Sequence, residues 1–449
     1  MSWSESMPVN PPPSGASGAK PDAVPPAEAP AGFPAQCAIP TALEIRERLA
    51  NASVGKPYRQ SIRELFGEQA KCIEMMELAA PEDGGLVFDA AEGVLHGTPR
   101  HPGEFTLALA YRMAGPPAGR PALQHVFALT INPDPKSLWK NLPSDQTGLF
   151  AKPDEDRIFL DTPHLTALAA SLRGRSHAHV GKYRDDDFAM YFAEATGWHV
   201  FIAADGAGSA KYARRGSRIA GQVASTALAG KLSGPNELDD ALEKLGSSET
   251  EEDGEKLRAI ASNILIAAAY QGLAAIEKQA GEQQAALRDF NTTFIAVLAK
   301  KLETRWFFAS FAIGDGGAGV MLEAERVELL TKPDSGEFAG QTLFLTSPDV
   351  FSDAKLLPGR TQVAFCNNFS FLAVMTDGLT DPIFESDTKF TSAAAWESWR
   401  QQLSQAIKLD TLEPGMEQAL LEYLHFPSPG NHDDRTLILA VPKIARPLP

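Results

Sequence analysis

The 449-residue chain reads as an α+β protein: a layered sandwich of sheets and helices, preceded by a small β-sandwich and a disordered Pro-rich N-terminus. Three observations predict this. Residues 1–40 are dense in Pro, Ala, Gly and Ser. Residues 41–135 break into short strands between Gly- and Pro-bearing turns. Residues 171–442 run strands punctuated by paired helical stretches, which suits layered sheets better than strict strand–helix alternation.

The elements follow in order. The first 40 residues, with Pro11-Pro12-Pro13 and Pro25-Pro26, carry too little apolar material to order themselves and read as a tail. In the β-sandwich, strands are expected at 86–89, 93–99, 104–111, whose apolar residues alternate, and 126–131. Residues 136–170, with Pro143, Pro153 and Pro163, read as a linker. Two long helices are expected at 210–232 and 255–281, where apolar residues recur at spacings of three and four. Strands are expected at 292–298, 306–313, 320–330, 343–346 and 369–376. Helices at 393–407 and 415–425, a strand at 436–441 and a tail at 443–449 complete the chain.

A net charge of −16 argues against nucleic acid as a main partner, since phosphate backbones need a basic face. Cys37, Cys72 and Cys366 have no zinc-type spacing, and a disulfide framework is not expected. No apolar run of about 18 residues suggests a membrane span, and no secretion signal is evident. A cytoplasmic location is the expectation.

The chemistry lies in short acidic patches: Asp185-Asp186-Asp187, Asp205-Gly206, Asp377-Gly378 and Asp433-Asp434. Two of them end apolar runs, 198–204 before Asp205 and 371–376 before Asp377. A buried strand stopping at a Gly-containing turn leaves its last carboxylate at a sheet edge. Carboxylates meeting at such an edge repel unless a cation neutralises them, and hard divalent ions take oxygen ligands of this kind.

Taken in order, Arg184-Asp185-Asp186-Asp187, Asp205-Gly206-Ala207-Gly208, Asn291-Thr292-Thr293, Ile313-Gly314-Asp315-Gly316, Thr376-Asp377-Gly378-Leu379-Thr380-Asp381 and Asp433-Asp434-Arg435-Thr436 resemble the type-2C, or PPM-type, metal-dependent Ser/Thr protein phosphatases of the bacterial branch. The resemblance covers 173–441 and implies an α/β/β/α layered sandwich. It implies two Mg²⁺ or Mn²⁺ ions, and room for a third, activating a bridging hydroxide that attacks phosphorus in line. The substrate implied is phosphoserine or phosphothreonine in a protein, opposing a Ser/Thr kinase. Asp205 would bridge the ions with the Gly206 carbonyl, while Asp377 and Asp433 would hold the first. Asp185 or Asp186, with Asp186 favoured, would reach the second, and Asp381 falls at the third position. Asp315 reads as a turn residue. Segment 93–131 resembles immunoglobulin-like modules of bacterial multidomain proteins, which bind or space.

The chain also departs from the pattern. Ala207 stands where many members carry histidine, so a proton donor must come from elsewhere. His177 or His179 could serve as acid or phosphate contact, or both could be surface residues on a strand end. Arg184 is the candidate phosphate-binding arginine, with Lys182 and Arg175 near it. The alternative is a catalytically weak protein that keeps the fold as a regulatory or binding module.

Overall fold

The computed structural model describes residues 49–79, 84–113, 121–134, 139–247, 251–322, 326–332, 342–348, 350–352 and 357–443. The expected N-terminal tail, and all of the C-terminal tail but Lys443, lie outside the described residues. The chain divides into two compact units, one through Leu138 and one from Trp139 onward.

The first unit holds β1 (Ala52–Ser53), β2 (Tyr58–Ser61), a 3-10 helix (Glu64–Cys72), β3 (Ile73–Ala79), β4 (Leu86–Asp89), β5 (Val94–Gly97), β6 (Gly103–Met113) and β7 (Leu123–Asn132). A four-stranded sheet runs β1-β7-β6-β3 and a three-stranded sheet runs β2-β5-β4. Leu107, Leu109, Leu129, Leu95 and Ile62, from both sheets and a turn, are fully buried in one core. Alternation in β6 puts Leu107, Leu109 and Tyr111 inward while Thr106 and Ala108 face out. No disulfide framework was expected; Cys72 is disulfide-bonded and Cys366 is free.

The second unit is four layers deep. Its five-stranded sheet runs β10 (Asp187–Ala193), β11 (Trp198–Ala204), β12 (Phe294–Lys301), β13 (Trp306–Ile313), β16 (Thr361–Cys366). Its six-stranded sheet runs β15 (Arg326–Leu329), β14 (Gly317–Leu322), β17 (Phe371–Met375), β18 (Arg435–Pro442), β9 (Leu165–Leu172), β8 (Glu155–Asp161). Every pairing in both is antiparallel. The strands are apolar on both faces because both faces are covered. In β11, Phe201 and Ala203 meet Val297, Val374 and Ile438 between the sheets, while Val200 and Ile202 turn outward to helices. The helices on that outer face are α2 (Ala213–Leu232), α3 (Glu237–Ser247) and α4 (Glu251–Glu282). On the far face of the six-stranded sheet lie α5 (Asp377–Phe384), α6 (Asp387–Phe390), α7 (Ala393–Ala406) and α8 (Met416–Tyr423). There Trp396 and Trp399 pack on Phe371 and Phe384. Before β10 stands the one-turn helix α1 (Arg175–Val180).

Several expectations change. The supposed linker 136–170 holds β8 and the start of β9, and β9 pairs with β18 along its full length. Its prolines bracket these strands instead of preventing them. Residues 343–346 form no strand: the Leu345 amide donates to the Thr292 carbonyl and the Thr346 hydroxyl to Asn291 Oδ1, holding the segment as a loop. The run 320–330 divides into β14 and β15. Helix α4 is long and apolar enough to cross a membrane by composition, yet it packs Leu257, Ala261, Leu265 and Ala268 into the core.

Candidate metal centre

The acidic residues occupy strand ends and turns at one edge of the two sheets. Asp205 follows β11, and its backbone is clamped on both sides. Its amide donates to Thr293 Oγ1 (2.9 Å), and its carbonyl accepts from the Thr293 amide (2.8 Å) and Thr292 Oγ1 (2.9 Å). Asp377 opens α5 directly after β17, where the helix dipole favours a carboxylate. Asp315 sits in the β13–β14 turn, and Asp433 precedes β18.

Two Asp-Gly pairs serve close packing. A Cβ on Gly378 would lie 1.8 Å from the Asp434 carbonyl oxygen, and one on Gly206 would lie 2.6 Å from that of Asp185. Only glycine lets these strand ends approach so closely.

Asp205, Asp315 and Asp377 bring carboxylate oxygens within 4.8 Å of one another. Asp315 was expected to fix a turn. It does accept from Thr342 Oγ1 (2.7 Å), but its Oδ1 is buried with no donor among the described residues, and its carboxylate belongs to the acidic group. The Gly314-Asp315-Gly316 motif located the residue in sequence; nothing in the motif showed which way its carboxylate would turn. The Oδ1 atoms of Asp186, Asp315 and Asp377 are buried without a hydrogen-bond partner among the described residues.

The triple aspartate splits three ways. Asp186, fully buried, accepts from Thr376 Oγ1 (2.8 Å) and Thr436 Oγ1 (2.7 Å) on one oxygen and turns the other toward Asp205. Asp185 faces His177, with Oδ2 3.7 Å from Nε2. Asp187 pairs with the buried Lys152 at 2.9 Å. Asp186 is therefore the member aimed at the cluster, and Asp185 is not.

Charge repulsion shows in the titration. Burial first, then Asp377 and Asp186, pushes Asp205 well above the ordinary carboxylate range. Asp377 moves the same way through burial, Asp315 and Asp433. Asp433 is raised by burial and Asp434, and Asp381, one helical turn beyond Asp377, by burial, Asp315 and Asp433. Asp186 rises to about 6 and Asp185 to about 7, burial leading in both and Asp434 following. An all-oxygen, mutually repelling set with orphaned oxygens fits hard divalent cations such as Mg²⁺ or Mn²⁺.

The basic residues are arranged differently from expectation. His177 lies in α1, buried, and not on a surface strand end. Its Nδ1 bonds Asp434 (3.0 Å), which also accepts from the amides of Gly174 and Asp185 (both 2.5 Å). Burial lowers the His177 pKa, but Asp434 and Asp185 outweigh it and lift it to about 9. Asp434 was missed as a functional residue because only the fold brings it to the histidine. His179 accepts from the Lys140 amide and packs on Trp139. Arg184 is corrected as a phosphate contact. It is 1% exposed, its Nη1 donates to the Asp186 carbonyl (3.0 Å), and its Nη2 lies 3.6 Å from Asp156. The exposed Lys182 instead reaches the Gly208 carbonyl (3.3 Å) on the loop after Asp205.

Residues 173–425, more than half the chain, match the family model for protein phosphatase 2C. The match stops short of Asp433 and β18 and begins just after β9, two strands that the structure pairs within one sheet. No curated protein matches the chain. Among solved structures, it is similar to the catalytic domain of the serine threonine protein phosphatase PstP in complex with two manganese ions. That likeness has 19% identity over 62% of this chain and 98% of that one, TM-score 0.33. It is also similar to serine-threonine phosphatase 2C from Toxoplasma gondii (15%, 65% and 100%, TM-score 0.41) and to RsbX in complex with magnesium (13%, 64% and 100%, TM-score 0.32). These likenesses are distant, and the family rests on the sequence match and the ordered acidic motifs: the chain belongs to the protein phosphatase 2C family.

Proposed function

We propose that this protein hydrolyses phosphoserine and phosphothreonine in cytoplasmic proteins, reversing a Ser/Thr kinase, with Mg²⁺ or Mn²⁺ as cofactor. The observation that carries it is the convergence of Asp205, Asp315 and Asp377, with unpartnered oxygens and raised pKa values. Asp205, Asp377, Asp433, Asp186 and the Gly206 carbonyl would hold the ions, with Asp315 facing the same space and Asp381 at its rim. When bound, divalent ions supply Lewis-acid charge that acidifies a water nucleophile and neutralises the phosphoryl oxygens. Thr376 and Thr436 orient Asp186, and Thr292 and Thr293 fix the Asp205 backbone. His177 keeps a proton beside Asp185, and Lys182 offers an exposed cation to a phosphate. The N-terminal unit is read as an immunoglobulin-like recognition module.

The test is hydrolysis of p-nitrophenyl phosphate and a phosphothreonine peptide with Mn²⁺. Asp377→Asn and excess EDTA should each abolish turnover, and full activity in either condition removes the proposal. Two observations favour a second reading, a weakly catalytic binding protein. Arg184 is spent on the Asp186 carbonyl and Ala207 supplies no acid. Mn²⁺ binding by calorimetry without turnover would select that reading.

A further inference from the structure

The stretch 139–154, outside the family match, lies across the first acidic motif. Arg173 Nη2 donates to the Leu142 carbonyl (2.9 Å) and Arg214 Nη2 to that of Leu149 (2.6 Å), tying the stretch down. Lys152 then turns inward, 2% exposed. Its ammonium bonds the backbone carbonyl of Asp186 and, at 2.9 Å, Asp187 Oδ2. Arg184 Nη1 donates to the same Asp186 carbonyl at 3.0 Å. Two buried cations thus hold one peptide oxygen, in the middle of three identical residues.

Three consecutive aspartates pose a problem that one would not. Asp187 begins β10 opposite Ala204, and a one-residue slip of this strand would turn every side chain to the other face. A slip one way would bring Asp185 into the cluster and put Arg184 in its place beside His177, where like charges oppose it; a slip the other way would bring Asp187 into the cluster and leave Phe188 against Lys152. Resting on the metal-centre reading, we propose that Lys152 is a positioning residue: it locks the register of Asp185-Asp186-Asp187 against the slip that would put Asp187 in place of Asp186 at the metal site. The lysine does this by gripping the peptide oxygen of Asp186 and the side chain of Asp187 together; the slip that brings Asp187 inward would leave Phe188 where that carboxylate stands.

Mn²⁺ calorimetry on the full chain tests it, with melting temperature as the control for folding. In D187N the ammonium keeps the Asp186 carbonyl and can still donate to the amide oxygen at 187, and Mn²⁺ affinity should stay within about twofold of wild type. In K152M/D187N no buried charge is left unpaired but the grip is gone, and affinity should fall about tenfold, the usual cost of losing a residue that orients a ligand. Equal Mn²⁺ affinity in D187N and K152M/D187N overturns the proposal, whatever their melting temperatures. Should K152M/D187N fail to fold, K152R decides. It keeps the charge but cannot place it at the same point, so weakened Mn²⁺ binding supports the lock and wild-type affinity overturns it. D205N separates the two levels: if it binds Mn²⁺ as wild type does, the metal centre itself is misplaced.

Discussion

Removing one cluster carboxylate should stabilise the metal-free protein while destroying its response to metal. In Asp205→Asn no donor to the side chain is lost, because the clamps on Asp205 are to its backbone. Asp205 shares its 4.8 Å group with Asp315 and Asp377. Each ionised pair at that distance repels by about 3.5 kcal/mol at an effective dielectric of about 20. Taking up a proton near pH 8, against an ordinary pKa of 3.8, costs about 6 kcal/mol and caps the penalty. The relief from D205N thus lies near 3–6 kcal/mol, equivalent to a melting rise of about 5 °C or more in chelator. Mn²⁺ at about 100 times its dissociation constant adds about 2.7 kcal/mol to wild type and nothing to D205N, narrowing or reversing the order. Differential scanning calorimetry in EDTA and in Mn²⁺ reads both. If D205N melts below wild type in EDTA, the carboxylates are not repelling and the argument for cations fails.

Two further outcomes are expected. His177 has a folded pKa raised from 6.5 to about 9, so its stabilisation is complete below about pH 6.5 and lost as pH rises through 9. Asp185, raised to about 7, loses its contribution in the same direction but over lower pH. Lys152, lowered to about 8, also titrates between about pH 7 and 9, so His177 is read from the difference between H177Q and wild type: in chelator H177Q should flatten the fall in melting temperature there, and an unchanged slope would show that the histidine is not charged in the fold. G378A forces a methyl to within 1.8 Å of the Asp434 carbonyl, so the backbone of α5 or β18 must move. A loss of about 3 kcal/mol or more in urea unfolding is expected, and a loss under about 0.5 kcal/mol would mean the approach is not tight.

The sequence by itself determined the strands that end in acids. Runs 198–204 and 371–375 are continuous and apolar because both sheet faces are covered, and Asp-Gly had to follow where the chain leaves the sheet. The family and most carboxylates followed from the order of those short motifs. Tertiary structure decided the rest, for reasons no local pattern carries. Three consecutive aspartates are equivalent in sequence, and only Thr376 and Thr436 on one side and Lys152 on the other make Asp186 the one aimed inward. Asp315 joined the acids, and Arg184 was withdrawn from them, because pairing between distant strands fixes where a side chain points. The prolines of 136–170 suggested a linker, yet β9 became an interior strand because β18, more than 260 residues later, offered it a full-length partner. Hydrophobic pattern and turn chemistry act between neighbours along the chain and are written there. The electrostatics of a site depend on which distant charges the sheets bring together, and only the folded chain fixes that.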